Sequence, residues 1–252
     1  MSLKKTLKQK INHCRRLFLF GERCTEESYI RKLNRMGARI DESVKMSVPE
    51  SVFLDETTPY MLEIGKNVFI AEGVKILTHD ASWLVMKTED GIIRGHIGPV
   101  KIGNNVFLGM NSMVMCNVSI CDNVIIGANA VVNTSIHTPG VYAGNPAKMV
   151  ATMEQMKMLR DSRQVKEAYT VARTYYERFG EKPPQEILNE YFWIFEKRIL
   201  EKLPPAFLAQ MGHCGNFQVT ADQFMKSEPD FDGYEEFWSW CEKKIEKEKN
   251  RV

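Results

Sequence analysis

The middle of the chain carries apolar residues at a fixed interval of six. Written in sixes it reads IGKNVF, IAEGVK and ILTHDA, is interrupted, and resumes as IGNNVF, LGMNSM, VMCNVS, ICDNVI and IGANAV. The first place of each hexad is aliphatic: Ile64, Ile70, Ile76, Ile102, Leu108, Val114, Ile120 and Ile126. The fourth place is Asn67, Gly73 and His79, then Asn105, Asn111, Asn117, Asn123 and Asn129. Asn and Gly tolerate positive φ, so the pattern predicts a sharp corner once per hexad. The fifth place is small or β-branched (Val68, Val74, Val106, Ser112, Val118, Val124, Ala130). Short strands joined by such corners send one aliphatic side chain inward from each face. Three hexads then close a triangular coil, and coils stack by parallel pairing into a prism. An antiparallel sandwich also alternates apolar and polar positions, but nothing in it would hold asparagine at one phase of a six-residue period.

The grid extends upstream through Ile40, Met46, Val52 and Thr58, where Thr57-Thr58-Pro59 degrades it, so the first coil is expected to be irregular. Downstream Val132 continues it and the TPG at 138–140 breaks it. The step from Ile76 to Ile102 is not a multiple of six, which makes residues 80–99 a loop thrown out from the prism, the kind of segment on which chemistry tends to sit. Both flanks read as helical. Leu3, Leu7, Ile11, Cys14 and Phe18 recur at helical spacing, and a second helix is expected between Thr25 as N-cap and Gly37. The basic face of the first helix (Lys4, Lys5, Lys8, Arg15, Arg16) suits solvent, or else an acidic or lipid surface. Beyond the prism, helices are expected from Thr152 to Phe179, from Pro183-Pro184 to before Pro204-Pro205, and over about 233–249. Their aromatics (Tyr191, Phe192, Trp193, Phe195, Phe237, Trp238, Trp240) fit core packing, a cap on the prism, or an acceptor groove. The expected organisation is thus an N-terminal helical segment (1–39), a β-helix domain (40–150) and a C-terminal helical region (151–252).

Composition adds exclusions. The 252 residues, 44% hydrophobic and 26% charged, are ordinary for a globular chain, and a net charge of +2 gives no reason to expect nucleic acid as a partner. No apolar run approaches the roughly 18 residues of a transmembrane span, and the N-terminus lacks the pattern of a signal peptide, so a cytoplasmic location is expected. The cysteines at 14, 24, 116, 121, 214 and 241 form no CxxC pair or zinc-like spacing, and Cys116 and Cys121 are expected as small core residues.

With the hexads and the segment after them, residues 60–150 resemble the hexapeptide-repeat acyltransferases, most closely the maltose, galactoside and polysaccharide O-acetyltransferases. The resemblance implies a mainly β fold, a left-handed parallel β-helix with flanking α-helical segments, working as a homotrimer with acetyl-CoA as co-substrate and no metal. Two motifs carry it further. In ILTHDAS (76–82), His79 stands where the relatives place a general base, and an imidazole titrating near neutrality suits removal of a hydroxyl proton. In VYAGNPAK (141–148), the relatives complete their CoA site. Position by position, the resemblance places Gly109, Met110, Ala128, Asn133, Thr134, Asn145 and Lys148 beside the CoA arm, with an N–H near Gly109 facing the oxyanion. The sequence departs from its relatives at Met110, often a serine, and at Thr134, often a lysine.

Asp80 is the carboxylate nearest to His79 in sequence, with Asp55 and Glu72 equally open as its partner. Trp83 in the loop suits stacking on a sugar ring or plain packing, and His96 is a second candidate base. The expected reaction is direct O-acetylation of a saccharide hydroxyl. N-acetylation of an amino-sugar nucleotide would use the same base, and a non-catalytic scaffold would use only the prism. A zinc carbonic anhydrase on the same prism would need histidines where Met110 and Met115 stand, which argues against that class.

Overall fold

The computed structural model describes residue 11 and residues 14–250. The chain divides into two compact units, Met1–Met153 and Glu154–Val252. The first unit is a parallel β-helix with three faces. One face stacks Arg39–Ile40, Leu62–Ile64, Val100–Ile102 and Ser119–Ile120; a second stacks Lys45–Met46, Phe69–Ile70, Val106–Leu108, Val124–Ile126 and Gly140–Ala143; a third stacks Phe53–Leu54, Lys75–Ile76, Met113–Val114 and Val131–Val132. All of these pairings are parallel. The strand Lys148–Ala151 then closes the second face antiparallel.

The corners are made as the fourth-place residues require. Asn67, Asn105, Asn111, Asn117, Asn123 and Asn129 have φ between 54° and 62°, and Gly73 has φ 74°. Their amides also run along the prism: Asn67 Nδ2 donates to Asn105 Oδ1 at 3.2 Å, and Asn105 Nδ2 to Asn123 Oδ1 at 3.1 Å. The first-place aliphatics are all at most 3% exposed, which makes them the continuous core that no single hexad could bury.

Departures from the six-residue grid have local causes. Regular coils repeat every 18 residues, as between Asn105 and Asn123. The separation is 38 across the extruded segment, 24 between Ser43 and Asn67, and 22 between Ser51 and Gly73. Consequently Leu54, not Val52, takes the place beneath Ile76, although both are buried. The TPG does not end the prism. Ile136 bridges Ile120, and Gly140–Ala143 pairs with Val124–Ile126 in a tighter last coil whose repeat is 16 residues at Ser119 and Ser135.

A helix at Glu26–Arg35 covers the start of the prism. Thr25 caps it in a reciprocal box with Ser28, and Gly37 follows it with φ 102°. Tyr29, Ile30 and Leu33 belong to the prism core. Polar groups on the same helix meet all three first-coil strands. Asn34 exchanges bonds with Ile40 N–H (2.9 Å) and C=O (2.8 Å), Glu26 accepts from Met46 N–H (2.8 Å), and the Tyr29 hydroxyl lies 3.3 Å from both Leu54 N–H and C=O. The helix Glu26–Arg35 and the β-helix belong to one unit. Of the expected first helix, residues 14–20 are helical, while Leu3, Leu7, Lys4, Lys5, Lys8 and His13 lie outside the described residues.

The second unit is helical. The stretch expected as one helix from Thr152 is two, Met153–Asp161 and Gln164–Phe179. The segment after Pro184 forms three short 3-10 turns rather than a helix, and Pro205–Met211 and Phe217–Lys226 are additional helices before Tyr234–Lys249. Its aromatics form its own core: Phe192 stacks on Phe207 (4.7 Å) and Phe195 on Phe237 (5.5 Å). A mainly β description thus fits the first unit, while the chain as a whole carries more helix than strand. No helix among the described residues is long and apolar enough to cross a membrane.

Candidate active site

After the strand Lys75–Ile76, Leu77 N–H still donates to Val114 C=O (2.9 Å), and Thr78 is fully buried. Other hexads turn a corner at the next residue. Here the chain runs straight on. His79 is not left-handed but extended, in the strand His79–Asp80, which pairs antiparallel with His96–Ile97. The segment beyond is ordered rather than irregular, with a helix at Trp83–Asp90 ended by Gly91 at φ 76°.

The carboxylate that meets His79 is Asp55, from the irregular first coil. Its Oδ2 lies 2.6 Å from His79 Nδ1 and accepts from Thr78 N–H (3.0 Å) and the Thr78 hydroxyl (2.8 Å), while Oδ1 accepts from Thr57 N–H (3.0 Å). The Thr58 and Thr78 hydroxyls are 2.6 Å apart behind it. Asp55 is fully buried. Burial alone would push its carboxyl up. The Thr78 and Thr57 amides, then the Thr78 hydroxyl and His79, outweigh that and hold it at about 2. An ionised Asp55 accepts a hydrogen bond from Nδ1–H, which leaves Nε2 as the basic nitrogen. The imidazole is 35% exposed, enough for a ligand to reach Nε2, which has no hydrogen bond among the described residues. Of the three open carboxylates, Glu72 is exposed on a corner. Asp80 takes the Ser82 N–H at Oδ1 (2.8 Å) and turns Oδ2 toward His96 Nε2 at 3.9 Å. No local signal singles Asp55 out, because its Asx-turn spacing to Thr57 is matched by that of Asp80 to Ser82.

The residues aligned with the CoA arm lie on the two corners that bound the third face. On one, Asn111 N–H donates to Glu72 C=O, Asn129 N–H to Met110 C=O and Val131 N–H to Gly144 C=O, so Gly109-Met110, Ala128 and Gly144-Asn145 are stacked on successive coils. Met110, Ala128 and Asn145 are exposed. On the other corner, Asn133 and Thr134 follow Val131–Val132, exposed and within one coil of the Met115-Cys116 step. Lys148 is exposed on the closing strand, paired with Ala143. The Gly109 N–H itself donates to Ile126 C=O at 2.8 Å, so an oxyanion donor near Gly109 would have to be a neighbouring N–H. A Cβ on Gly109 would sit 2.6 Å from Ala128 N and 2.7 Å from Ile126 O, so glycine is needed there for the stacking of coils. The neighbouring Met110 N–H has no partner among the described residues.

Trp83 is half-buried, with Lys87 Nζ 5.3 Å from its ring centre, so one face of the ring is already covered. Cys116 is buried beside Asp80 and His96, and Cys121 is half-buried.

Residues 99–134 match the family model described as bacterial transferase hexapeptide (six repeats). Protein CapG of Staphylococcus aureus is 36% identical over 125 residues, which cover 49% of this chain and 70% of that protein. The galactoside O-acetyltransferase of Escherichia coli K12 is 32% identical over 93 residues, covering 36% of this chain and 44% of the enzyme, so the chain spans less than half of that relative. Among solved structures, a maltose O-acetyltransferase from Clostridium difficile 630 aligns with a TM-score of 0.41 at 23% identity, over 58% of this chain and 87% of that one. The repeats, their corner residues and the similarity to CapG together place this chain in the bacterial hexapeptide-repeat transferase family, as an enzyme of the acyltransferase class.

Proposed function

We propose that the chain is an acetyl-CoA-dependent O-acetyltransferase acting on a saccharide hydroxyl, with His79 as general base. The observation that carries this reading is the buried, ionised Asp55 held against Nδ1 of a part-exposed imidazole. His79 Nε2 takes the acceptor proton as the hydroxyl oxygen attacks the thioester carbon. The Met110 N–H, free among the described residues, would serve as the donor to charge developing on the carbonyl oxygen. The C–S bond breaks, and the imidazolium returns its proton to the leaving thiolate, so no acyl-enzyme is required. The stacked corner of Gly109-Met110, Ala128 and Asn145 would receive the pantetheine arm, with Asn133, Thr134 and Lys148 reaching its polar groups. Asp80 and Trp83 stand at the loop neck, where an acceptor would enter.

Left-handed winding, a homotrimer with the site between neighbouring prisms, and a cytoplasmic location belong to the same reading. Exposed Leu84, Val85, Ile92, Ile93 and Ile97 on the extruded segment support a neighbouring copy as its cover. A thiol-release assay with acetyl-CoA against sugars, polysaccharide repeat units and amino-sugar nucleotides tests the proposal. Release that depends on a neutral sugar supports it. Release only with an amino-sugar nucleotide moves the assignment to N-acetylation, and no release above hydrolysis with any acceptor overturns it.

A further inference from the structure

Asp80, His96 and Cys116 bring three different donor atoms to one point at the neck of the extruded segment. The carboxylate oxygen, the imidazole nitrogen and the thiol sulfur all lie within 4.8 Å of one another. Asp80 and His96 are directly opposed in the antiparallel pair, so their side chains share one side of it. Cys116 comes from the prism, one coil on from Thr78. The neck is pressed against this corner: a Cβ on Gly98 would lie 1.8 Å from Asn117 Oδ1, so a larger residue there would have to displace the Asn117 side chain. The donors do not satisfy each other. At 3.9 Å, the gap between Asp80 Oδ2 and His96 Nε2 exceeds a hydrogen bond, and Cys116 Sγ has no hydrogen bond among the described residues.

We propose that these three residues bind a zinc ion that clasps the neck of the extruded segment to the prism. Sulfur, imidazole nitrogen and carboxylate oxygen together are a zinc donor set, and three protein ligands leave the fourth tetrahedral position to water. Tetrahedral bonds of zinc-ligand length put donors about 3.3–3.7 Å apart, so closure of order 1 Å completes the site. Two of the side chains have room for it, Asp80 being 36% and His96 52% exposed. On binding, the Cys116 S–H proton passes to solvent and a Zn–S bond forms, with no redox change. This set is distinct from the carbonic anhydrase pattern, whose positions are Met110 and Met115 here. The inference is independent of acetyl transfer, since it is read from metal binding alone.

The test uses the full-length protein, stripped with chelator and titrated calorimetrically with Zn²⁺, then with Co²⁺ as a spectroscopic substitute. One equivalent should bind, and the cobalt form should show thiolate-to-metal charge transfer in the near ultraviolet. Cys116→Ser should abolish that band and weaken binding by about tenfold or more; His96→Gln, at an exposed position that does not threaten folding, should weaken binding similarly and keep the band. The proposal is overturned by no binding up to about 1 mM Zn²⁺, by a charge-transfer band that survives Cys116→Ser, or by wild-type affinity in His96→Gln.

Discussion

Replacing Asp55 by asparagine isolates the charge that organises the site. The folded chain holds this carboxyl at about 2 against an ordinary value of 3.8, and the group is fully buried, so the difference converts to about 2 kcal/mol of stability at neutral pH. The sign follows from the direction. A carboxyl depressed on folding stabilises the native state above its unfolded pKa, and that contribution is lost as pH falls through the folded value. Wild-type stability should therefore decline between about pH 4 and pH 2 by this amount, and Asp55→Asn should lack that part of the slope. Its amide can still accept from Thr78 N–H, but an NH₂ then faces the Thr57 N–H, which adds a pH-independent penalty. The oxygen that accepts from Thr78 also stays opposite Nδ1, but it no longer carries the charge that stabilises the imidazolium formed as the acceptor proton is taken, so turnover should fall by about two orders of magnitude or more while the KM for acetyl-CoA moves little. Urea unfolding of both proteins from pH 6 to pH 2, beside thiol-release kinetics, measures each part. Parallel pH profiles, or near-normal turnover in the variant, would refute the role given to Asp55.

His79→Ala should lower thiol release by about two to four orders of magnitude and leave CoA affinity, measured calorimetrically, within about twofold. Gly109→Ala pushes a methyl against the backbone of Ala128 and Ile126 and should cost about 2–3 kcal/mol, lowering Tm by roughly 5–10 °C in a thermal scan. At Asn105, where φ is 55°, alanine should destabilise by about 1–2 kcal/mol, whereas glycine should retain most of the stability because it adopts that backbone freely. Equal losses for the two replacements would assign the effect to the amide ladder rather than to the corner.

The prism was legible because its two requirements, an inward aliphatic and a left-handed corner, each select few residue types and recur at one phase. His79 stood out as a candidate base from its motif, but the carboxylate that meets its imidazole did not. Asp55 lies in the first coil, where extra residues remove the period that links sequence position to place in the fold, so three carboxylates stayed equally eligible. The same slip put Leu54 where the grid predicts Val52. The TPG reads as a stop, yet the last coil simply turns with fewer residues, since Gly140 extends the second face at φ 157°. Which N–H near Gly109 stays free could not be read from spacing, because the coil-to-coil bond that occupies the Gly109 N–H follows from register. The zinc ligands were invisible for a related reason: residues 80, 96 and 116 meet only through the loop neck and one coil step.

The helix at Glu26–Arg35 has a consequence beyond covering apolar side chains. A stack of parallel coils has no inherent length, and its first rung offers open N–H and C=O groups to any strand that arrives, including another molecule's. Asn34, Glu26 and Tyr29 occupy such groups on all three sides at once. This one short helix is thus the device that fixes where the solenoid begins and keeps it from growing end to end into a fibre.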